Sequence, residues 1–264
     1  MEKIKELRER TGAGMVDCKK ALDEVGGDLE KAIEILRKKG IAKAAKRSER
    51  EAGEGIIKVD TNSDKTEAYL VELNSETDFV ARNEKFQELI DKIMEVIKNN
   101  KPNNTDELAK MELDGVTVED QINTLSGVIG EKIALGRIAI VAGQTVSAYS
   151  HLGGKIGVLV ALDQPGKEDL AGDIAMHIAA TNPRYLEESE VPAEELNTEK
   201  EIYREQLLKE GKPENMIENI MQGKVKKYYS EVCLIDQEYI KDDKKKIRDI
   251  LEESNIIKFV RYSL

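Results

Sequence analysis

The chain has 264 residues, with 41 Lys and Arg against 52 Asp and Glu, so its formal net charge is −11 at pH 7. This sign disfavours a dedicated DNA-binding or RNA-binding protein, whose surface must attract phosphate groups. With 40% hydrophobic and 35% charged residues, the composition excludes disorder as the default and predicts a globular protein with a real core.

The first 40 residues predict a module of three short helices. Two helices are expected over about 2–10 and 14–25, and Asp28 can cap a third helix that ends at Gly40. A module of this size has a small core and little stability of its own. We therefore expect it to be a docking appendage rather than the main body.

A basic segment over residues 41–55 lacks periodicity and is predicted to be a linker. Two β-branched segments follow over 55–60 and 66–74, and the turn-forming residues between them predict a hairpin. The segment 75–82 is predicted to be a loop, and apolar residues recurring on one face then predict a helix over about 83–98.

The middle of the chain alternates helices and strands. A helix is expected over about 117–133, a strand over 134–143, a glycine-flanked loop around His151, a buried strand over 155–163 and a helix over 167–180. The apolar strands YLVEL and GVLVAL each precede a helix. This faint repeat leaves open whether the two strand-helix halves are duplicates.

The segment 190–231 is densely charged and predicts a helical hairpin. Its two helical patterns, over about 194–210 and 214–231, meet at Gly211-Lys212-Pro213, where a stop glycine precedes a proline suited to begin a helix. A short helix over 243–254 and a final strand over 255–264 then return the chain to the core sheet.

Candidates for catalysis and metal binding are sparse. The two histidines are His151, in a glycine-flanked loop, and His177, on a helix one turn after Asp173. Neither has the further ligands or the nucleophile and orienting group that a metal or catalytic site requires. The two cysteines are too few for a disulfide framework and fit a reducing compartment, and no segment resembles a signal peptide or membrane span. We expect a cytoplasmic protein without enzyme activity, metal or cofactor.

The basic linker also permits a nucleic-acid-binding interpretation. It carries Lys43, Lys46, Arg47 and Arg50, but no aromatic residue lies among them to stack on a base. A solvated linker is the simpler interpretation, and the salt dependence of binding would distinguish the two.

The most informative segment is Thr77-Asp78-Phe79-Val80, which lies between a strand and a helix. In one interpretation Phe79 packs on the following helix near Phe86, as a hydrophobic staple does. In the other, an acid and an aromatic side chain are presented together on a rigid loop that enters a partner. Composition does not decide between them.

Four segments carry a resemblance to a known family. They are RERTGAGMVDCKKAL at 8–22, NSETDFVARNEKF at 74–86, HLGGKIGVLV at 151–160 and IAMHIAA at 174–180. These segments resemble segments of bacterial translation elongation factor Ts, and they occur along the chain in the same order as in that family. The resemblance implies a guanine-nucleotide exchange factor for elongation factor Tu, with no nucleic-acid or membrane partner.

The resemblance also implies an α+β architecture. It comprises a ubiquitin-associated-like three-helix module, two related α/β core subdomains with antiparallel sheets and an inserted coiled-coil hairpin implicated in dimerisation. The predicted division is a module over 1–40, a linker over 41–55, core subdomain N over 56–140, core subdomain C over 141–189 and 232–264, and the hairpin over 190–231. Some members continue into a further C-terminal module, whose contacts we do not expect here.

The family's partner contacts carry over to matching residues. Thr77, Asp78, Phe79 and Val80 match the segment that enters the GTPase domain beside its magnesium ion and switch region. The resemblance implies further contacts by Met15, Val16, Lys19, Ile129, Gly130, His151 and Leu152. A ubiquitin-type binding module formed by the three N-terminal helices remains an alternative function, and an enzyme is a remote third.

Overall fold

The computed structural model describes residues 1–264. Its first three helices are α1 (Glu2–Thr11), α2 (Met15–Glu24) and α3 (Leu29–Ala45). They enclose a small core that includes Leu7, Cys18 and Ala32. The predicted cap is confirmed, since the Asp28 side chain accepts a hydrogen bond from the Lys31 backbone N–H at 3.2 Å.

Six long strands form two antiparallel three-stranded sheets. The first sheet has the order β1-β2-β5 and contains β1 (Glu54–Thr61), β2 (Glu67–Ser75) and β5 (Ile133–Ala142). The second has the order β10-β7-β6 and contains β6 (Thr145–His151), β7 (Ile156–Leu162) and β10 (Ile256–Ser263). Two short hairpins complete the strands: β3 (Glu112–Leu113) with β4 (Val116–Thr117), and β8 (Glu238–Tyr239) with β9 (Asp242–Lys246).

Eight further helices lie around and between the sheets. They are α4 (Asp78–Ala81), α5 (Glu84–Asn100), α6 (Thr105–Lys110), α7 (Val118–Ile129), α8 (Glu168–Thr181), α9 (Ala193–Lys209), α10 (Glu214–Val232) and α11 (Ile247–Ile250). None of the helices combines the length and the apolar composition needed to cross a membrane. Mixed helices and antiparallel sheets confirm the α+β class.

The two sheets pack face to face. Alternating side chains of each strand point to opposite faces, so residues such as Leu70 and Val141 of the first sheet meet Val146 and Leu159 of the second in one buried cluster. The opposite face of the first sheet packs on α5 and α7, and that of the second packs on α8. The strands YLVEL and GVLVAL thus hold equivalent central positions, each followed by a helix on the outer face.

The N-terminal module joins the core through α3 and α7. A Cβ added to Gly127 of α7 would lie 2.5 Å from the Cα of Gly40 in α3, so the two helix backbones touch where neither residue has a side chain. Arg37 of α3 also forms an ion pair with Asp120 of α7. We predicted that the third helix ends at Gly40, but α3 continues to Ala45. The glycine is needed for the close contact with α7 and does not mark a helix end.

Several other boundaries differ from the predictions. His151, expected in a loop, is the last residue of strand β6, which was not predicted and which forms because it pairs with β7. The predicted C-terminal helix over 243–254 shrinks to α11, and β9 takes the residues before it. The loop 75–82 contains the single turn of α4. The helical hairpin forms as predicted from α9 and α10, whereas the domain division stays a prediction.

Candidate functional site

The segment Thr77–Val80 projects from the end of the first sheet. Strand β2 ends at Ser75, whose hydroxyl donates to the Thr77 carbonyl at 2.9 Å, and α4 begins at Asp78. Phe79 is 79% exposed, whereas Val80 is only 5% exposed. The staple interpretation is therefore wrong: Phe86 is fully buried in the core, and Phe79 lies in solvent.

The one-turn helix explains this separation. Consecutive residues of a helix point about 100° apart, so Val80 and Ala81 face the core while Asp78 and Phe79 face outward. We predicted Val80 as a partner contact, but it packs in the cluster beneath the first sheet. It anchors the segment and is not presented on the surface.

Asp78 has an exposed cation as its neighbour. Its carboxylate accepts from Arg82 at 2.9 Å, one helical turn further on, and the Arg82 side chain is largely in solvent. Ion pairs of this exposed kind contribute about 0.3–0.5 kcal/mol. The carboxylate can therefore exchange Arg82 for another contact at little cost.

Two carboxylates tie the start of the segment to the turn between α7 and β5. Glu131 accepts from the Thr77 backbone N–H at 3.1 Å and from the Thr77 hydroxyl at 3.0 Å. In the opposite direction, Glu76 accepts from the Lys132 backbone N–H at 2.6 Å. That hydrogen bond, together with the Arg50 guanidinium, holds the pKa of Glu76 below its usual range.

These contacts bring two predicted regions together. Ile129 ends α7 and Gly130 follows it with φ of 92°, a left-handed conformation that favours glycine. Both are half-buried and directly precede Glu131, which holds Thr77. We did not single out Glu131 from the sequence, because its partner lies 54 residues away and nothing local distinguishes it from other surface glutamates.

His151 ends β6, and Leu152 begins the turn between β6 and β7. Leu152 has φ of 51° and is 68% exposed, and the His151 Nδ1 lies 3.0 Å from the Tyr149 hydroxyl. The turn is attached to β1, since the Ile57 N–H donates to the Gly154 carbonyl at 2.7 Å. Because the start of β1 pairs with the end of β2, this turn lies at the same end of the sheet as Thr77.

The start of α2 presents the remaining predicted contacts. Met15 and Val16 are 61% and 67% exposed, and Lys19 is also exposed. The preceding turn lies against the start of α5, because a Cβ added to Gly12 would fall 2.0 Å from the Lys85 Nζ. The structure thus brings the α2 start close to the region that follows Phe79.

Exposed apolar residues concentrate among these predicted contacts. Ten large apolar side chains are exposed in the whole chain, and four of them are Met15, Val16, Phe79 and Leu152. Exposed apolar side chains grouped on one surface are typical of a protein interface. These four residues are therefore candidates for a binding surface.

The basic linker is engaged within the chain. Arg47 donates to the Ser126 carbonyl at 3.3 Å, Arg50 pairs with Glu76 at 3.1 Å, and Lys43 pairs with Asp17 at 3.3 Å. These cations attach the linker to the core and to α2.

The residues considered for catalysis have structural partners. His177 is buried and bonds to the Gln237 side chain at 2.9 Å, and burial lowers the pKa of its imidazole. Asp173 accepts from Tyr239 and Lys241. Both cysteines are buried, and desolvation raises the pKa of Cys233 to about 12, which leaves its thiol unreactive.

Comparison with known proteins places the chain in a family. The sequence model of the family described as "Elongation factor TS" matches residues 76–264. The chain belongs to the elongation factor Ts family. An "Elongation factor Ts" from a Nitratiruptor species is 49% identical, in an alignment covering 99% of this chain and 91% of that protein. The resemblance in the sequence motifs is thereby confirmed, and the family membership makes this chain a translation elongation factor of the exchange-factor type and not an enzyme.

Proposed function

We propose that the chain binds elongation factor Tu in its GDP form and accelerates the release of GDP until GTP binds. Asp78 and Phe79 enter the GTPase domain next to the magnesium and phosphate site. The observation that carries this proposal is a solvent-exposed phenylalanine on a loop anchored at both ends, in a member of a translation elongation factor family.

The energetics require more than one side chain. A nucleotide bound with nanomolar affinity lies roughly 12 kcal/mol below the free state. Accelerating its release ten-thousandfold lowers the barrier by about 5.5 kcal/mol, whereas burying one phenylalanine yields about 1.5–3 kcal/mol. The remainder comes from a broader contact that includes Met15, Val16 and Leu152, which are also exposed.

This binding energy holds the partner in a conformation that retains magnesium and phosphate poorly. Thermodynamic linkage makes the effect mutual. If the exchange factor weakens nucleotide binding by a given factor, bound nucleotide weakens the binding of the exchange factor by the same factor. Asp78 acts on the electrostatic field and water around the partner's metal and does not ligate a metal within this chain. No covalent bond is made or broken.

The test is the rate at which fluorescent GDP leaves elongation factor Tu as the concentration of this chain rises. The wild-type chain should accelerate release, and Phe79→Ala should lower the maximal rate roughly 10- to 100-fold, as expected for the burial energy of one phenylalanine. Ile240→Ala removes an apolar side chain that is 47% exposed in the turn between β8 and β9 and should match the wild type. Equal rates for Phe79→Ala and wild type would refute the proposed role of Phe79.

The hairpin of α9 and α10 is a candidate dimer contact. It carries three of the remaining exposed apolar side chains, Ile202, Leu208 and Met216. A second copy packing on these residues would bury them. Sedimentation velocity of the wild type and of a chain with all three changed to serine tests this, since dimerisation through the hairpin requires the triple variant to be monomeric at concentrations where the wild type is not.

A further inference from the structure

We propose that Glu131 is a positioning residue for nucleotide exchange: its carboxylate fixes Thr77 and thereby sets the direction in which Asp78 and Phe79 leave the surface. The proposal rests on the exchange function proposed above. Glu131 itself lies at the α7–β5 turn and does not belong to the exposed segment that enters the partner.

Thr77 occupies the N-cap position of α4, but its side chain does not cap the helix. A threonine at this position ordinarily accepts a hydrogen bond from a backbone N–H of the first turn. Here the hydroxyl lies 3.0 Å from both carboxylate oxygens of Glu131, and the Thr77 N–H lies 3.1 Å from one of them. The Thr77 hydroxyl therefore bonds to Glu131 and not to a backbone N–H of α4.

This external hold matters because α4 has only four residues. A single turn is not stable by itself, since nucleation of a helix is unfavourable. Its orientation depends on the buried Val80 and Ala81 at one end and on the Thr77–Glu131 contact at the other. Phe79 is 79% exposed and has little packing of its own to fix its direction.

Glu131 is itself held in place. Its carbonyl accepts from the Ser126 hydroxyl at 2.6 Å, and the following Lys132 N–H donates to Glu76 at 2.6 Å. The two chain segments thus exchange carboxylate contacts in both directions, Glu131 to Thr77 and Glu76 to Lys132. Together they form a clamp that can transmit a fixed geometry to the exposed pair.

The linker closes the outer side of this clamp. The Lys132 ammonium donates to the carbonyls of Ser48 and Arg50, at 2.8 Å each, and Arg50 pairs with Glu76. The end of the N-terminal linker therefore contacts the residues that hold Thr77. Glu131 is half-buried, whereas Arg50 is exposed.

The experiment measures GDP release from elongation factor Tu with wild type, Glu131→Ala, Glu131→Gln, Phe79→Ala and Glu119→Ala. Glu131→Ala should lower the maximal release rate about tenfold, which corresponds to about 1.4 kcal/mol, while the half-saturating concentration changes less than about threefold. Glu131→Gln should recover most of the rate, because its amide oxygen still accepts from Thr77 and its amide N–H can donate to the hydroxyl. Glu119→Ala removes a charge from the exposed start of α7, the helix that precedes the Glu131 turn, and should match the wild type.

The release rates of Thr77→Val, Glu131→Ala and the double variant distinguish positioning from a general loss of stability. If the two residues act through one contact, the double variant should be no slower than Glu131→Ala alone. Additive losses, or a Glu131→Gln variant as slow as Glu131→Ala, would overturn positioning by hydrogen bonds. Wild-type rates for Glu131→Ala with a slow Phe79→Ala would overturn this proposal alone, whereas a wild-type chain that does not accelerate release would overturn the exchange function.

Discussion

Asp78 and Phe79 are adjacent, yet they meet solvent in different ways. Phe79 has no intramolecular partner that must be given up, because most of its side chain is exposed. Asp78 has Arg82, at 2.9 Å, which both shields its charge and keeps it oriented. Whether the Asp78 charge acts on the partner or only on Arg82 can therefore be tested by changing each member of the pair.

We expect Asp78→Asn to lower the maximal rate of GDP release several-fold, because the neutral amide acts more weakly on the partner's magnesium site. Arg82→Ala should change the rate less than about twofold, since an exposed pair one turn apart contributes only about 0.3–0.5 kcal/mol. Release of fluorescent GDP at saturating concentration measures both. If Arg82→Ala is as slow as Asp78→Asn, the carboxylate acts by fixing the loop and not by its charge.

At the level of single residues, the sequence predicted only part of this site. The family motif located Thr77–Val80, but alternation and composition could not decide that Phe79 points outward while Val80 points inward. That outcome depends on the phase of one helical turn, which the buried residues and Glu131 impose together. Glu131 was missed because its hydrogen bonds to Thr77 exist only after β2 and β5 pair.

The elements that support the site meet at the crossing of α3 and α7. Gly40 and Gly127 allow the two backbones to touch, and Arg37 pairs with Asp120 beside them. The crossing fixes the N-terminal module, with its exposed residues at the start of α2, relative to the turn that carries Glu131. A side chain at this crossing should therefore separate two parts of one binding surface.

We expect Gly127→Ala to destabilise the contact between module and core, since its Cβ would lie 2.5 Å from the Gly40 Cα and 2.8 Å from the Gly40 carbonyl oxygen. Overpacking of this kind costs about 1–3 kcal/mol. Limited proteolysis should cut the linker faster, and the half-saturating concentration for GDP release should rise. Gly223→Ala in α10 is the matched control, because its Cβ would meet nothing within 4 Å. A linker as resistant as the wild type would contradict the prediction.

Element predictions succeeded where local signals were strong. The glycine and proline at 211–213 end α9 and begin α10 as expected, and the turn-forming residues after β1 give the predicted hairpin. They failed for β6 and for Gly40, where the deciding partner lies elsewhere in the chain. Strand β6 exists through its pairing with β7, and Gly40 lies inside a helix because α7 packs against it.

At the scale of the whole molecule, the proposed binding surface is divided between two parts with separate cores. The N-terminal module encloses its own small cluster, and the sheets and their helices enclose three larger ones. The segment between them does more than connect, because Arg47 and Arg50 contact the core and Lys132 holds the backbone at Ser48. The module and the linker should therefore contribute to exchange in different ways.

Two truncations separate these contributions. Removing residues 1–45 deletes α1 to α3 but keeps Arg47, Ser48 and Arg50 for the clamp around Glu76 and Lys132. Removing residues 1–52 deletes the linker contacts as well. The first truncation should raise the half-saturating concentration for GDP release at least about tenfold while largely preserving the maximal rate, because contact area is lost but the loop is still held.

The second truncation should lower the maximal rate further, since Glu76 loses Arg50 and Lys132 loses two carbonyl partners. Both chains should retain the circular dichroism and cooperative unfolding of the core, whose buried clusters lie entirely after residue 52. If the core unfolded in either truncated chain, the N-terminal module would be part of the same folding unit. Equal maximal rates for the two truncations would show that the linker contacts to Glu76 and Lys132 are not needed for exchange. The N-terminal region would then act only through its contact with the partner.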